Sequence, residues 1–140
     1  MILLDTNVVS EPMKATPTPC VIRWLDDQPD QDLFLCAVTK AEIELSICLL
    51  PDGKRKHMLI GATMEMFNEF QGRCLPFDEM AATKYASLVA DRTKNGRPIR
   101  VEDAQIAAVA LTHGLTLATR NINDFDRIRG LNVINPWNMD

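Results

Sequence analysis

Short apolar runs alternate along this chain with longer segments in which apolar residues recur every three or four positions. The first run stops abruptly at Asp5 and predicts a strand over residues 2 to 5, and LFLCA at 33 to 37 predicts a second. β-branched and leucine runs of this length suit strands buried on both faces, as in parallel sheets covered by helices. CLPFD at 74 to 78 reads as a short extended segment, LTLAT at 115 to 119 as a further strand, and NVINP at 132 to 136 as the last.

Helical signals fill the intervals. Thr18 and Pro19, a cap followed by proline at the first helical position, open a helix holding Val21, Ile22, Trp24 and Leu25. The spacing from Thr39 to Glu42 is that of a capping box, which predicts a helix to about Leu50, ended by Pro51-Asp52-Gly53. An amphipathic helix covers Lys54 to Phe70, another runs from Glu79 to Lys94 and stops at Asn95-Gly96, and EDAQIAAVALTHG is a buried helix closed by Gly114. Strands alternating with helices, without a hairpin signal, predict right-handed βαβ units. The expected fold class is therefore α/β, with a central parallel sheet flanked by helices on both sides.

Length and composition narrow the picture. The 140 residues fit one domain, 1–140, and 46% hydrophobic against 24% charged residues, without repeats or low-complexity tracts, fit one globular unit. No basic residue precedes Asp5 and no apolar run nears the roughly 18 residues of a membrane span, so a cytoplasmic protein that does not engage membranes is expected. Cys20, Cys36, Cys48 and Cys74 form no Cys-x-x-Cys pair, and only His57 and His113 accompany them. They read as small buried hydrophobes rather than as a disulfide or zinc framework. The net charge of −4 disfavours a surface that grips nucleic acid indiscriminately but leaves room for a local basic rim.

Candidate chemistry gathers at strand ends. In open α/β sheets ligands bind outside the carboxyl ends of the strands, where strand order reverses. Asp5 stands at one such end, and Thr119, Arg120 and Asn121 stand at another, with Asp124 shortly after. Glu42 and Asp103 fall in the first turns of predicted helices. Asp103 shares a helical face with Ile106, Ala107 and Ala110, whereas Glu102 aligns with Ile106 and Val109, and phase alone does not separate the two. Each acid has a plain structural reading: Glu42 as capping-box partner, Asp103 as helix-dipole stabiliser, Asp5 and Asp124 as turn residues, Asn121 as an Asx-turn former. Taken together, carboxylates converging on one crevice repel one another unless a cation neutralises them. An all-oxygen set of this kind suits Mg²⁺ or Mn²⁺, and without a Ser-His or Cys-His pair, metal-activated water is the nucleophile that remains for phosphodiester hydrolysis.

Four motifs, MILLDTNVVSEP, TKAEIELSI, EDAQIAAVALTHGLTLATRNINDF and VINPW, occur over nearly the whole chain in the order and spacing of a PIN-domain ribonuclease, and the sequence most resembles the VapC/FitB-type toxins of toxin-antitoxin pairs. The resemblance implies a PIN-like fold and a Mg²⁺- or Mn²⁺-dependent endoribonuclease. It assigns Asp5, Glu42 and Asp103, rather than Glu102, as metal-binding acids, and matches Thr6 and Thr119 to hydroxyl positions that orient the acids or the attacking water, with Asn7 completing the first motif. Many relatives read Thr-Arg-Asp where this chain has Thr119-Arg120-Asn121, so the fourth acidic position falls to Asp124 or is replaced by the neutral oxygen of Asn121. The resemblance further implies a homodimer and a VapB/FitA-like antitoxin, often DNA-binding, that blocks the site and through which the pair represses its own operon.

Arg97, Arg100 and Arg120 are the expected contacts to the RNA backbone, with Lys94 on the same approach, while GKRKH at 53 to 57 reads as a solvated run. Met58, Leu59, Met64, Met66, Phe67 and Phe70 exceed the needs of one helix face. Core packing accounts for most of them in this reading, and the excess suits a dimer face or an antitoxin groove. Two other classes compete with this reading. A receiver or haloacid-dehalogenase-type phosphotransfer domain lacks its second acid here, since Asn7 stands where Asp is needed. A PIN-like module that binds RNA or protein without cleaving is kept open by Asn121.

Overall fold

In the computed structural model, which describes residues 1–139, β1 (Ile2–Leu4) lies at the centre of a five-stranded sheet. Around it stand β2 (Leu33–Cys36), β3 (Cys74–Leu75), β4 (Thr116–Ala118) and β5 (Val133–Ile134), in the order β3-β2-β1-β4-β5. Every pairing is parallel, with Ile2 opposite both Leu33 and Thr116 and Leu4 opposite Ala118. Strand order reverses at β1, so the crevice between the carboxyl ends of β1 and β4 is the switch point at which such sheets bind ligands.

Alternation along the short strands feeds two cores. Leu3 and Leu117 face α5 (Glu79–Lys94) and α6 (Val101–His113), packing with Leu88, Ile106, Ala107 and Phe125. Leu4, Leu35 and Ala118 face the other way, onto Val8 of α1 (Thr6–Val9), Trp24 of α2 (Pro19–Asp26), Ile43 of α3 (Ala37–Cys48) and Phe70 just beyond α4 (Lys54–Glu69). Both faces are buried, as the continuous apolar runs require. Helix α6 is enclosed most completely: Ala104, Ile106, Ala107, Ala108, Val109 and Ala110 are all fully buried. A helix apolar on every side belongs in an interior.

Most boundaries agree with the sequence patterns, and α5 matches residue for residue, capped by the Asp78 carboxylate accepting from the Ala81 N–H at 3.0 Å. Gly114 ends α6 in the left-handed conformation at φ 64°. The strands are shorter than the apolar runs. Residues 76 to 78 lie outside β3, Asp5 is the cap of the helix that follows β1, and Ala37 is the first residue of the helix that follows β2.

Two expectations fail. The capping box does not form, because β2 runs straight into α3 with Cys36 at the cap, which buries Thr39 inside the first turn and frees Glu42 for other partners. Of the four cysteines only Cys36 is buried; Cys20 is intermediate, and Cys48 and Cys74 are exposed because they lie at the end of α3 and on the edge strand β3. The apolar residues of α4 and its end divide as expected: Phe70 is buried, Met66 and Phe67 pack against the same core and Leu59 is half-buried, while Met58, 74% exposed, and Met64, 62% exposed, are the excess. Two short elements, α7 (Ile122–Phe125) and the single turn α1, have no periodicity to announce them. No helix is long and apolar enough to cross a membrane among the described residues.

Candidate functional site

Asp5 closes β1 and caps α1 at once. Its backbone N–H donates to the Ala118 carbonyl at 2.9 Å, holding it in sheet register, while Oδ1 accepts from the Thr6 N–H at 2.9 Å. The other oxygen, Oδ2, accepts from the Thr119 hydroxyl at 2.7 Å and the Asn7 amide at 3.3 Å. Thr119 is fixed in turn by the Asn121 N–H at 3.1 Å, and Asn7 by the Arg120 N–H at 3.2 Å. Thr119 and Asn7 thus hold the Asp5 carboxylate in one orientation across the β1–β4 boundary.

Glu42 reaches the same place from α3. Its Oε1 accepts from the Thr6 hydroxyl at 2.8 Å, so one threonine holds Asp5 through its backbone and Glu42 through its side chain. Asp103 arrives from the first turn of α6. Its side chain is 13% exposed against 43% for Glu102, which settles which of the two turns inward. Arg100, at the cap of α6, joins these acids: one Nη2 donates to Glu42 Oε2 at 2.9 Å and to Asp103 Oδ1 at 3.2 Å.

Together these residues line a cleft of about 540 Å³, whose walls also include Arg92, Asn121 and Asp124. Both alternatives for the fourth position are therefore present at the site. The Asp124 carboxylate makes no hydrogen bond or ion pair among the described residues, whereas Asn121 uses its N–H to secure Thr119.

Burial pushes the Asp5 carboxyl above the ordinary carboxylate range. The hydrogen bonds from Thr119 and Thr6 oppose the rise, and the charges of Asp103 and Glu42 reinforce it. The Asp103 and Glu42 carboxylates hold the Arg100 guanidinium charged well beyond its usual range. Three acids with one shared arginine leave negative charge uncompensated, and all their donors are hard oxygens, the set that suits Mg²⁺ or Mn²⁺. Among the described residues no three acidic, histidine or cysteine side chains already stand at coordination spacing, since Arg100 bridges Glu42 and Asp103.

The arginines expected along the RNA path have other partners. Arg97 pairs with Asp126 at 2.7 Å and Arg120 lies over the Trp137 ring at 5.1 Å; neither lines the acidic cleft. Arg100 does line it, but as the counter-charge of the acids. Arg92 is the residue that sequence reasoning missed. It is 6% exposed and donates to the carbonyls of Arg97 at 2.8 Å and Asp126 at 2.7 Å, tying together the two loops that flank the cleft. A signal exists in the series Ala81, Tyr85, Leu88, Arg92, an apolar stripe that ends in a cation.

The PIN domain family matches residues 2–131. Over 138 residues the chain is 41% identical to VapC ribonuclease Y4jK of Sinorhizobium fredii, covering 98% of each sequence. It is 42% identical to Toxin FitB of Neisseria gonorrhoeae, covering 98% of this chain and 99% of that protein. A solved structure of FitAB bound to the IR36 DNA fragment contains a chain 40% identical, which superposes with a TM-score of 0.94 over 100% of this chain and 98% of its own.

Proposed function

This chain belongs to the PIN-domain family and, within it, to the VapC- and FitB-type ribonuclease toxins, and from that premise we propose that it acts as a metal-dependent endoribonuclease through Asp5, Glu42 and Asp103, held in check by a cognate antitoxin. The observation that carries the reading is the convergence of three acids from three separate elements on the switch-point crevice.

In this reading Asp5 and Asp103 hold Mg²⁺ or Mn²⁺ directly and Glu42 is the third oxygen donor. When bound, the divalent ion supplies a Lewis acid that activates water and stabilises charge developing on the phosphate. The chain's own residues do the rest. Thr119 and Asn7 fix the orientation of Asp5, and Thr6 couples Asp5 to Glu42. Asp124 is the fourth acid, with Asn121 beside it as a neutral oxygen. Arg100, which pairs with Glu42 and Asp103 at the mouth of the cleft, would be free to meet a phosphate if those two acids held the ion. Attack by water in line leaves a 5′-phosphate and a 3′-hydroxyl, with no part for the 2′-hydroxyl.

FitB is seen with FitA on DNA, and we extend that arrangement to a FitA/VapB-like partner here. An apolar groove of about 800 Å³ between α3, α4 and the segment after α1 supports it, lined by Met13, Ile43, Ile47, Met58 and Leu59. The exposed apolar residues Leu45 on α3 and Leu49 at its C-terminal cap support a homodimer.

The test is incubation of the antitoxin-free protein with total bacterial RNA, in Mn²⁺ or in EDTA, beside Asp5→Asn, followed by sequencing of new 5′-phosphate ends. Discrete ends from the wild type with metal alone are expected. Their absence under every condition, from folded protein, points instead to a binding module disabled at Asn121.

A further inference from the structure

We propose that a second cleft, formed by α5 and the loop at residues 127–130, is a phosphate-binding track that grips single-stranded RNA outside the acidic site. The proposal rests on the ribonuclease reading for its ligand, and on separate residues for its geometry.

The cleft measures about 620 Å³ and is lined by Lys84, Arg92, Lys94, Arg127 and Arg129, with Asp91 as its one acid. Such a concentration of cations stands out in a chain whose net charge is −4. Lys84, Asp91 and Lys94 recur at helical spacing along one face of α5, opposite the arginines of the loop. Lys84, Lys94, Arg127 and Arg129 make no ion pair or side-chain hydrogen bond among the described residues. By contrast, Arg97, Arg100 and Arg120 all have partners. Four unpaired cations therefore gather in this cleft, whereas Arg23, Lys54 and Arg55, also without an ion pair among the described residues, do not line it.

Two further observations point to a ligand. Arg127 is the only residue other than glycine with a positive φ, 57°, among the described residues. A left-handed arginine is an unfavourable choice where glycine or asparagine would be relaxed, which favours a role for the side chain itself. Arg92 lines both this cleft and the acidic one, so the two adjoin. The floor, Leu88, Leu111 and Ile128, is aliphatic and the lining holds no aromatic ring. Bases have nothing to stack on, so the cleft reads backbone charge and not sequence.

The experiment uses Asp5→Asn protein for binding and otherwise wild-type protein for cleavage, each with and without Lys84→Ala/Arg129→Ala, both exposed positions. Fluorescence anisotropy follows a labelled single-stranded RNA of about 20 nucleotides, longer than the roughly 4–16 that one binding module covers, through a salt series. Each lost phosphate contact lowers the slope of log affinity against log salt by about 0.7, so the double variant loses about 1.4 in slope and about 10- to 30-fold in affinity near 0.1 M salt. Cleavage of a dinucleotide, whose single phosphodiester sits at the acids and leaves no phosphate to reach the second cleft, keeps its rate. Arg127→Gly weakens RNA binding while raising the melting temperature, which a merely structural role for Arg127 does not predict.

Unchanged affinity and slope in a protein that cleaves RNA overturn the track and leave the ribonuclease reading intact. Cleft-dependent binding without cleavage supports the track and overturns the nuclease. Loss of duplex DNA binding in place of RNA binding overturns the assignment to RNA, and a parent protein that neither binds nor cleaves RNA overturns both.

Discussion

Asp5 is 4% exposed, accepts three hydrogen bonds and faces two further acids, so its charge is both oriented and costly. Its raised pKa makes the folded state bind a proton more tightly than the unfolded chain does. Stability contributed by the protonated form is present below the unfolded value of 3.8 and is lost as pH rises through the raised folded value. In EDTA, therefore, the melting temperature of wild type relative to Asp5→Asn should fall between acid and neutral pH, and Mn²⁺ should restore it in wild type alone, by binding only the native state. A pH-independent difference between the two proteins counts against the assignment. Arg100 permits a complementary test, because it bridges Glu42 and Asp103 while its side chain is 56% exposed. Two exposed ion pairs of up to about 1 kcal/mol each compete with a cation, so Arg100→Ala should tighten Mn²⁺ binding by about 3- to 10-fold in a paramagnetic-resonance titration. Weaker Mn²⁺ binding in that variant would show that the arginine supports the ion and does not rival it.

At the scale of elements, the site depends on how β1, α3 and α6 start and stop. Asp103 is aimed from the first turn of α6, whose approach is the loop at residues 95–100, and Arg92 secures that loop through the Arg97 carbonyl while holding the Asp126 segment through another. Replacing Arg92 with methionine keeps the aliphatic packing but removes two charge-assisted hydrogen bonds to the carbonyls of the half-buried Arg97 and Asp126. A loss of about 2–4 kcal/mol in denaturant unfolding is expected. A loss under about 0.5 kcal/mol, the range of an ordinary surface change, would remove Arg92 from the scaffold. Helices as long as α5 and α6 were legible in the sequence because their apolar patterns and their stops, Asn95-Gly96 and Gly114, agree with their packing, whereas the Asp78 cap of α5 went unread. The strand-end acids were legible because an abrupt carboxylate after a buried run is itself a signal. The capping box at Thr39 misled, since the local spacing is genuine but β2 runs directly into α3 and tertiary context shifts the cap to Cys36. α1 and α7 escaped because one turn contains too few residues to display a period. The pairing of Arg97 with Asp126 is a contact between loops, which no linear pattern encodes.

Across the whole molecule, the acidic cleft lies between two surfaces of different chemistry. Arg92 joins it to the basic cleft, and Thr6 joins it to the apolar groove of α3 and α4, because each residue lines both of its neighbouring depressions. A segment seated in the groove therefore runs up against Thr6, whose hydroxyl and N–H hold Glu42 and Asp5. That continuity lets a partner obstruct the acids without competing for the basic cleft. Met58 is the groove residue to change, being 74% exposed and remote in sequence from every acid. A lysine there sets a charge against an apolar partner helix, and leaving that charge desolvated at an interface costs several kcal/mol, about 100-fold or more in affinity. Folding and RNA cleavage should be unaffected, because the side chain already faces solvent. Co-expression with the antitoxin should then fail to restore growth for Met58→Lys, while it rescues cells making the wild-type chain. Full rescue of the variant, with the complex still forming at wild-type affinity, would move the antitoxin to another face.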